Sequence, residues 1–210
     1  MSILIGYVSP TDAMLIGDGR SVRAEDNTVN DEHAIKIASI TPNIAIGVTG
    51  NGNAAEVFLS TIRKWSRGVH FPSDYKLSIL TENLSETLNK LYEIDAVYQS
   101  YTKVMIVYAN GPEPHRILES DSAHGYEWVT TASADHGAQY RIAGPSDMQP
   151  DACYMELAQA QLRDNILHCG PSYIIKSVVR NVAWHSAYVN TQCSLWIKGK
   201  RIVPTDVTFV

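Results

Sequence analysis

The amino-acid sequence predicts an α+β fold built as a four-layer αββα sandwich, in which two largely antiparallel sheets lie face to face and a helix pair covers each outer side. The first observation is the order of apolar periods along the chain: strand-like, helical, strand-like, helical and strand-like again. The second is that each helical stretch holds two helices in a row, unlike the strand–helix alternation of a doubly wound parallel sheet. We therefore expect the two helix pairs on opposite sides of the sheets.

The first strand-like stretch predicts two β-hairpins joined by a polar loop. Pro10 and Pro42 each lie in a short polar segment between two apolar runs, where turn residues are expected. Each hairpin contributes two neighbouring antiparallel strands to a sheet. The predicted segments are strands at 3–8 and 13–18, a loop at 20–32, and strands at 34–40 and 43–49.

Helical periods occupy the next stretch and a later one near the carboxyl end. Apolar residues recur at intervals of three and four from Asn53 to about Arg67. Ser73 and Asp74 are typical first residues of a second helix, which carries a stripe of leucines. The two later helices are expected at 149–167 and 172–188, and the remaining strands at 103–109, 115–119, 127–130, 192–198 and 200–203.

Composition is that of an ordinary globular protein and argues against several classes of partner. The 210 residues are 45% hydrophobic and 19% charged, which suits one domain over 1–210 with a sizeable core. The net charge of -5 argues against nucleic acid and against an anionic membrane surface as partners. The sequence has neither a bilayer-spanning apolar run nor a secretion signal, and its three cysteines lack paired spacing, so we expect a cytoplasmic protein with reduced thiols.

Four features in the first third of the chain bear on function. Ser2 follows the first methionine, Asp18 lies between two glycines at the end of the second predicted strand, and Lys36 lies in an apolar strand. Gly50 belongs to the segment VTGNGNAAE, a glycine-rich turn that opens the first helix. Together and in this order, these features resemble the proteasome β-subunits and the related bacterial proteasome-like peptidases, members of the N-terminal-nucleophile hydrolase superfamily. The resemblance is specific over residues 2–67 and extends in element order over most of the chain.

The resemblance implies a role for each of the four residues. Ser2 would be the nucleophile and, once Met1 is removed, its own α-amine would be the general base. A free α-amine titrates near about 8, so part of it is neutral at neutral pH. Lys36 would lower the pKa of the amine and the hydroxyl, Asp18 would hold Lys36, and the N–H of Gly50 would stabilise the oxyanion. The glycines beside Asp18 would let the hairpin bend, so that the carboxylate faces the cleft.

The function that these residues predict is that of a peptidase or amidase with no cofactor and no metal. The histidines at positions 115, 124 and 136 lie in separate segments without the spacing of metal ligands. The implied partners are further copies of the chain, in a ring or a helical assembly, and an ATPase unfoldase. Aromatic residues flanking the first helix pair predict an interface between at least six copies, with Ser2 facing inside: Trp65, Phe71, Tyr75, Tyr92, Tyr98 and Tyr101.

Departures from the family pattern keep two other functions open. The peptidases mostly use threonine where this chain has Ser2, and they support the amine with a serine between glycines and with an Asp-x-x-Ser pair. The corresponding segments here read Ala143-Gly144-Pro145-Ser146-Asp147 and Ser186-Ala187-Tyr188-Val189. One alternative is a non-catalytic assembly protein that keeps the fold. The other is a small-molecule amidase or acyl transferase on the same scaffold.

Overall fold

Two five-stranded sheets form the centre of the protein in a computed structural model that describes residues 2–22, 28–50, 52–68, 76–94, 102–145 and 147–210. The helices are α1 (Gly52–Gly68), α2 (Leu77–Ile94), α3 (Pro150–Leu167) and α4 (Pro171–His185). The strands are β1 (Leu4–Val8), β2 (Ala13–Asp18), β3 (Ser21–Val22), β4 (Val29–Asp31), β5 (Ile37–Thr41), β6 (Ile44–Gly50), β7 (Thr102–Tyr108), β8 (Arg116–Asp121), β9 (Val129–Ser133), β10 (Gln139–Ala143), β11 (Gln192–Ile197) and β12 (Val203–Asp206).

The strand order places the amino-terminal hairpin at the middle of one sheet. The first sheet has the order β10-β1-β2-β11-β12 and the second has the order β5-β6-β7-β8-β9. Ile5 of β1 lies opposite both Ile16 of β2 and Ile142 of β10. All of these strand pairs are antiparallel, as predicted. The start of β1 is therefore surrounded by neighbours that fix its position.

Alternate residues of each strand face different layers of the protein. In β1, Ile5 and Tyr7 belong to the core beneath α3 and α4, whereas Leu4 and Val8 belong to the core between the two sheets. A third core lies between the second sheet and the pair α1 and α2. The layers are thus a helix pair, two sheets and a second helix pair, which confirms the predicted αββα sandwich.

Some element boundaries differ from the sequence prediction. The segment 20–32, predicted as a loop, contains β3 and β4, which are too short and too polar to produce a strand period. The prediction lacks β10, although its buried Tyr140 and Ile142 alternate with half-buried polar residues. The last strand begins at Val203 instead of 200, because a turn with φ of 76° at Gly199 lengthens the hairpin. The fourth helix ends at His185 instead of 188.

The second helix follows its leucine stripe. Its predicted first residues, Ser73 and Asp74, lie outside the described residues, and the described helix begins at Leu77. The leucines of the stripe that are buried against the second sheet are Leu77, Leu80, Leu84 and Leu88. None of the helices that the structure describes is long and apolar enough to cross a membrane.

Candidate active site

Ser2 lies just before β1, at the edge where the two sheets face each other. Its side chain and backbone are almost completely covered, with 5% of the residue exposed. The Ser2 backbone N–H donates a hydrogen bond to Oγ1 of Thr49 over 3.1 Å, and the Thr49 hydroxyl donates to the Ser2 carbonyl oxygen over 3.1 Å. Because Thr49 belongs to β6 of the second sheet, this hydroxyl joins the start of one sheet to the other.

Asp18, the last residue of β2, is fully buried and has several hydrogen-bond donors. Its Oδ1 accepts from the backbone N–H of Ile3, and its Oδ2 accepts from that of Arg20, both over 2.9 Å. Lys36 Nζ lies 3.2 Å from both carboxylate oxygens. Four donor contacts fix the carboxylate in one orientation, which satisfies a charged group that would be costly to bury alone.

Lys36 directly precedes β5 and is almost as buried as its partner, with 7% of the residue exposed. Besides Asp18, its ammonium donates to the backbone carbonyl of Arg20. Burial lowers the pKa of Lys36 and raises that of Asp18, since both charged forms lose hydration. The attraction between the two charges opposes both shifts.

Both glycines beside Asp18 lie in closely packed surroundings. Neither is among the residues with a positive φ, so neither needs the left-handed conformation that favours glycine. A Cβ on Gly17 would come within 3.0 Å of Leu4 Cδ2. A Cβ on Gly19 would come within 2.7 Å and 2.8 Å of the carbonyl oxygens of Glu32 and Gln192, where backbone atoms cannot yield. The absence of side chains lets three chain segments converge around the carboxylate.

Gly50 ends β6 and differs from those glycines in its conformation. Its φ of 119° lies in the region that side-chain-bearing residues rarely adopt. Two residues later α1 begins, so the positive end of the helix dipole lies close to this turn. Gly50 is therefore suited to a turn that exposes backbone beside a helix amino terminus.

A cavity of about 350 Å³ brings the predicted residues together. Ser2, Lys36 and Gly50 all line it, and Asp18 holds Lys36 from the protein interior. Its wall is apolar at Val48, Ala55 and Leu59. Charged or polar residues complete the described lining, among them Arg20, Asp31, His33, Glu56 and Arg63. The four residues selected from the sequence thus form one connected arrangement.

A second polar cluster, formed by Arg20, Glu32 and Asn190, holds the chain that follows Asp18. No pattern in the sequence predicts this cluster. Glu32 lies 3.2 Å from Nη2 of Arg20 and also accepts a hydrogen bond from the Asn190 side chain over 2.5 Å. Desolvation acts to raise the pKa of Glu32, but the hydrogen bonds from Arg20 and Asn190 outweigh it and lower the pKa. The Asn190 Oδ1 accepts from the Gly19 N–H over 3.1 Å. Contacts so distant along the chain follow no period that sequence reasoning could detect.

The segments that depart from the family pattern bind each other. Asp147 accepts a hydrogen bond from the Ser186 hydroxyl over 2.7 Å and another from the backbone N–H of Ala187 over 2.9 Å. Pro145 carries no hydroxyl, and Ser146 lies outside the described residues. Thr49, which sequence reasoning missed, is the described residue whose side chain contacts the Ser2 nitrogen.

A second lysine–carboxylate pair lies on the same inner sheet face as Thr49. Lys103 of β7 is the direct cross-strand neighbour of Thr49, and its Nζ lies 3.2 Å from Oε1 of Glu119. Lys103 and Thr49 also line a smaller cavity of about 200 Å³, beside Gly144 and Pro145. Within the described ranges, no group of three or more histidine, cysteine or acidic residues could hold a metal ion.

All three cysteines are free thiols, and their environments differ. Cys193 is buried and is the cross-strand partner of Asp18. Burial and the neighbouring Asp18 raise the pKa of its thiol, and burial beside Glu156 likewise raises the pKa of Cys153. Cys169 is exposed, between the end of α3 and the start of α4.

Comparison with known proteins identifies the fold. No protein-family model matches the sequence, and no curated protein matches it. The structure is similar to the eukaryotic HslV of Trypanosoma brucei, with 15% identity and a TM-score of 0.58, over 93% of this chain and 98% of that one. It is also similar to Anbu, an ancestral beta-subunit, from Yersinia bercovieri, with 10% identity and a TM-score of 0.69, over 97% of this chain and 86% of that one. The chain thus has a proteasome β-subunit-like fold.

Proposed function

We propose that the protein is an N-terminal-nucleophile hydrolase that cleaves peptide or amide bonds. The observation that carries the proposal is the shared cavity, which Ser2, Lys36 and Gly50 line while Asp18 holds Lys36. A hydroxyl, a buried cation and a backbone turn at a helix amino terminus are the groups that acyl transfer requires. The fold is compatible with this chemistry but does not by itself establish it.

The general base exists only after the Met1–Ser2 peptide bond is hydrolysed. Water supplies the atoms for this step, with either an aminopeptidase that removes methionine or the protein itself as catalyst. The product is a Ser2 α-amine, which has a lone pair at neutral pH in its unprotonated fraction. The nearby Lys36 ammonium favours that neutral form, because like charges repel.

The reaction then proceeds through an ester. The Ser2 amine takes the hydroxyl proton as Oγ attacks the substrate carbonyl, and the oxyanion is stabilised at the Gly50 turn. As the C–N bond breaks, the ammonium returns the proton to the leaving amine. A water molecule attacks the resulting ester, with the amine again as base, and releases the carboxylic acid and the Ser2 hydroxyl.

Self-association is the second part of the proposal, and most of the aromatic residues expected at its surface lie outside the described residues. Trp65 is half-buried in the core, Phe71, Tyr75, Tyr98 and Tyr101 lie outside the described residues, and the Tyr92 side chain is likewise not described. Among the described residues, exposed apolar side chains follow one face of α3: Met155 (61% exposed), Leu162 (66%) and Ile166 (78%). We propose that copies of the chain pack through this face, in a ring or a helical assembly. An ATPase unfoldase and a cytoplasmic location complete the proposal.

Turnover of a panel of fluorogenic peptides and small amides tests the function. After intact-mass spectrometry confirms the loss of Met1, we expect the wild type to be active and Ser2→Ala to lose at least about 10³-fold in kcat. Ser177→Ala, which removes a fully buried hydroxyl on α4, is the matched control and should keep the wild-type rate.

Other outcomes identify the alternatives. Undiminished turnover in Ser2→Ala would eliminate Ser2 as the nucleophile. A processed wild type that cleaves nothing on the panel would indicate the non-catalytic assembly protein. Turnover restricted to small amides would indicate a small-molecule amidase. Light scattering during size-exclusion chromatography tests assembly. A mass of several chains supports it, and a concentration-independent mass near 23.2 kDa, that of one chain, contradicts it.

A further inference from the structure

We propose that Thr49 is the positioning residue of the general base, and that it fixes the direction in which the Ser2 nitrogen presents its lone pair. This inference rests on the proposed function and adds a residue to it. The Thr49 Oγ1 lies 3.1 Å from the Ser2 nitrogen and 3.1 Å from the Ser2 carbonyl oxygen. Both contacts are buried, because Thr49 is 3% exposed and Ser2 is 5% exposed.

The roles of the two hydrogen bonds follow from the hydroxyl's single hydrogen. A carbonyl oxygen can only accept, so the Thr49 hydroxyl hydrogen points to the Ser2 carbonyl. The same oxygen can then only accept from the Ser2 nitrogen. One hydroxyl therefore fixes both backbone ends of Ser2, on either side of the Cα that carries the reacting side chain.

Removal of Met1 changes the nitrogen but keeps this constraint. A neutral α-amine has two hydrogens and one lone pair. With one N–H directed to Thr49 Oγ1, rotation about the N–Cα bond is restricted, and the lone pair is kept away from the Thr49 oxygen. The amine can then take a proton from Ser2 Oγ without first reorienting, which is the contribution that positioning makes to general-base catalysis.

The position of Thr49 in its strand shows that packing alone does not require a hydroxyl. Residues 45 and 47 of β6 lie on the same inner face, where Ala45 belongs to the apolar core and a Cβ on Gly47 would meet leucine side chains. Valine has nearly the shape of threonine, so Thr49→Val keeps the side-chain volume but removes the two hydrogen bonds and leaves the Ser2 N–H and carbonyl without this partner.

Charged groups near the amine are arranged on two sides. Lys36 with Asp18 lies along the larger cavity, and Lys103 with Glu119 lies on the Thr49 face of the second sheet. A lysine ammonium only donates hydrogen bonds, so neither lysine can replace Thr49 as the acceptor of the Ser2 N–H. Asp147 and Ser186 bind each other.

Steady-state kinetics of Thr49→Val and Thr49→Ser test the proposal. We expect Thr49→Val to lower kcat by about 10- to 100-fold with KM within about threefold, since general-base catalysis contributes about 10²- to 10⁴-fold in all. Thr49→Ser keeps the hydroxyl and should recover most of the rate. Thr131→Val, which removes a hydroxyl that bonds to the Ile117 carbonyl in the same sheet, is the matched control. An unchanged kcat in Thr49→Val would overturn the proposal.

Titration of the amine gives a readout that does not need turnover. The mature protein is acylated with a limiting amount of an amine-reactive reagent at a series of pH values, and the labelled amino-terminal peptide is quantified by mass spectrometry. Loss of an acceptor that favours the ammonium form should move the pKa of the Ser2 amine downward in Thr49→Val, with Thr49→Ser near the wild type. The acidic limb of the kcat profile should move in the same direction.

The two readouts separate this inference from the proposed function. If neither the wild type nor any variant turns over substrate, but the pKa of the Ser2 amine differs between the wild type and Thr49→Val, the Thr49 contact is supported and the hydrolase proposal fails. If turnover depends on Ser2 and the titration curves of wild type and Thr49→Val coincide, the hydrolase stands and the role of Thr49 is refuted.

Discussion

The ion pairs Lys36–Asp18 and Lys103–Glu119 have the same chemistry but different surroundings. The N–O distance is 3.2 Å both in Lys36–Asp18 and in Lys103–Glu119. The side chains of the first pair are 9% and 0% exposed, whereas those of the second are 24% and 15% exposed. The first carboxylate also accepts two backbone N–H bonds. Distance alone therefore does not distinguish a fixed part of a site from a partly solvated ion pair.

The largest expected difference is between Lys36→Met and Lys103→Met. Removing Lys36 leaves Asp18 charged, buried and without its cation, which typically costs about 3–5 kcal/mol of unfolding free energy. Removing Lys103 leaves Glu119 with one buried oxygen and a side chain that is 15% exposed, so we expect a smaller loss of about 1–2 kcal/mol. Urea unfolding followed by circular dichroism measures both.

Two further results bear on this comparison. Asp18→Leu combined with Lys36→Met should regain part of the lost stability, because no unpaired charge remains buried. Equal losses for the two single lysine variants would contradict the distinction between the pairs. In the activity assay, Lys36→Met should be inactive even at temperatures where it is folded, since the cation that lines the cavity with Ser2 is gone.

The fold and part of the site could be predicted because they depend on patterns among residues that are close in sequence. Apolar periods distinguish strands from helices along most of the chain, and the order of Ser2, Asp18, Lys36 and Gly50 resembles a known arrangement. The prediction of strands and helices depends on residues that are neighbours in sequence. The prediction of the site depends on residue types that are unusual at their positions, such as a lysine in an apolar strand. The four-layer fold is confirmed, whereas the catalytic roles remain a proposal.

The rest of the site depends on contacts that no local pattern encodes. Thr49 occupies a strand position where the sequence pattern fits valine equally well. The role of its hydroxyl becomes visible only in the folded structure, where Ser2, just before β1 of the other sheet, lies beside it. Asn190 reaches Gly19 across most of the chain. The glycines beside Asp18 predict a bend on local grounds, whereas at Gly19 the structure shows the close approach of two distant carbonyl oxygens, those of Glu32 and Gln192.

A smaller effect is expected from the ion pair of Arg20 and Glu32. The pKa of Glu32 is lowered in the folded protein, so its carboxylate stabilises the fold above its ordinary pKa of 4.5 and loses that contribution as the pH falls through the folded value. Glu32→Gln should therefore be less stable than the wild type at pH 7, by about 1 kcal/mol or less, because the side chain is 42% exposed. The difference should disappear on acidification, and a difference that grows at low pH would contradict the sign.

The smallest effect is expected on the surface of α2. Lys90 and Glu86 lie one helical turn apart, 2.5 Å from each other, but their side chains are 65% and 63% exposed. Hydration and salt screen such a pair, so Lys90→Ala should move the urea midpoint by less than the error of the measurement. If Lys90→Ala lost as much unfolding free energy as Lys103→Met, solvent exposure would not explain the difference between the Lys90–Glu86 and Lys103–Glu119 pairs.

The unequal environments of the three thiols provide a selective site for spectroscopy. Cys153 and Cys193 are buried with raised pKa values, whereas Cys169 is exposed two residues beyond α3. A maleimide dye should therefore attach at one position without any cysteine being mutated. That position adjoins Ile166 and Leu167, which are 78% and 56% exposed. The emission of a polarity-sensitive dye there should change with protein concentration if the α3 face becomes covered, which makes the natural chain its own fluorescent reporter of assembly.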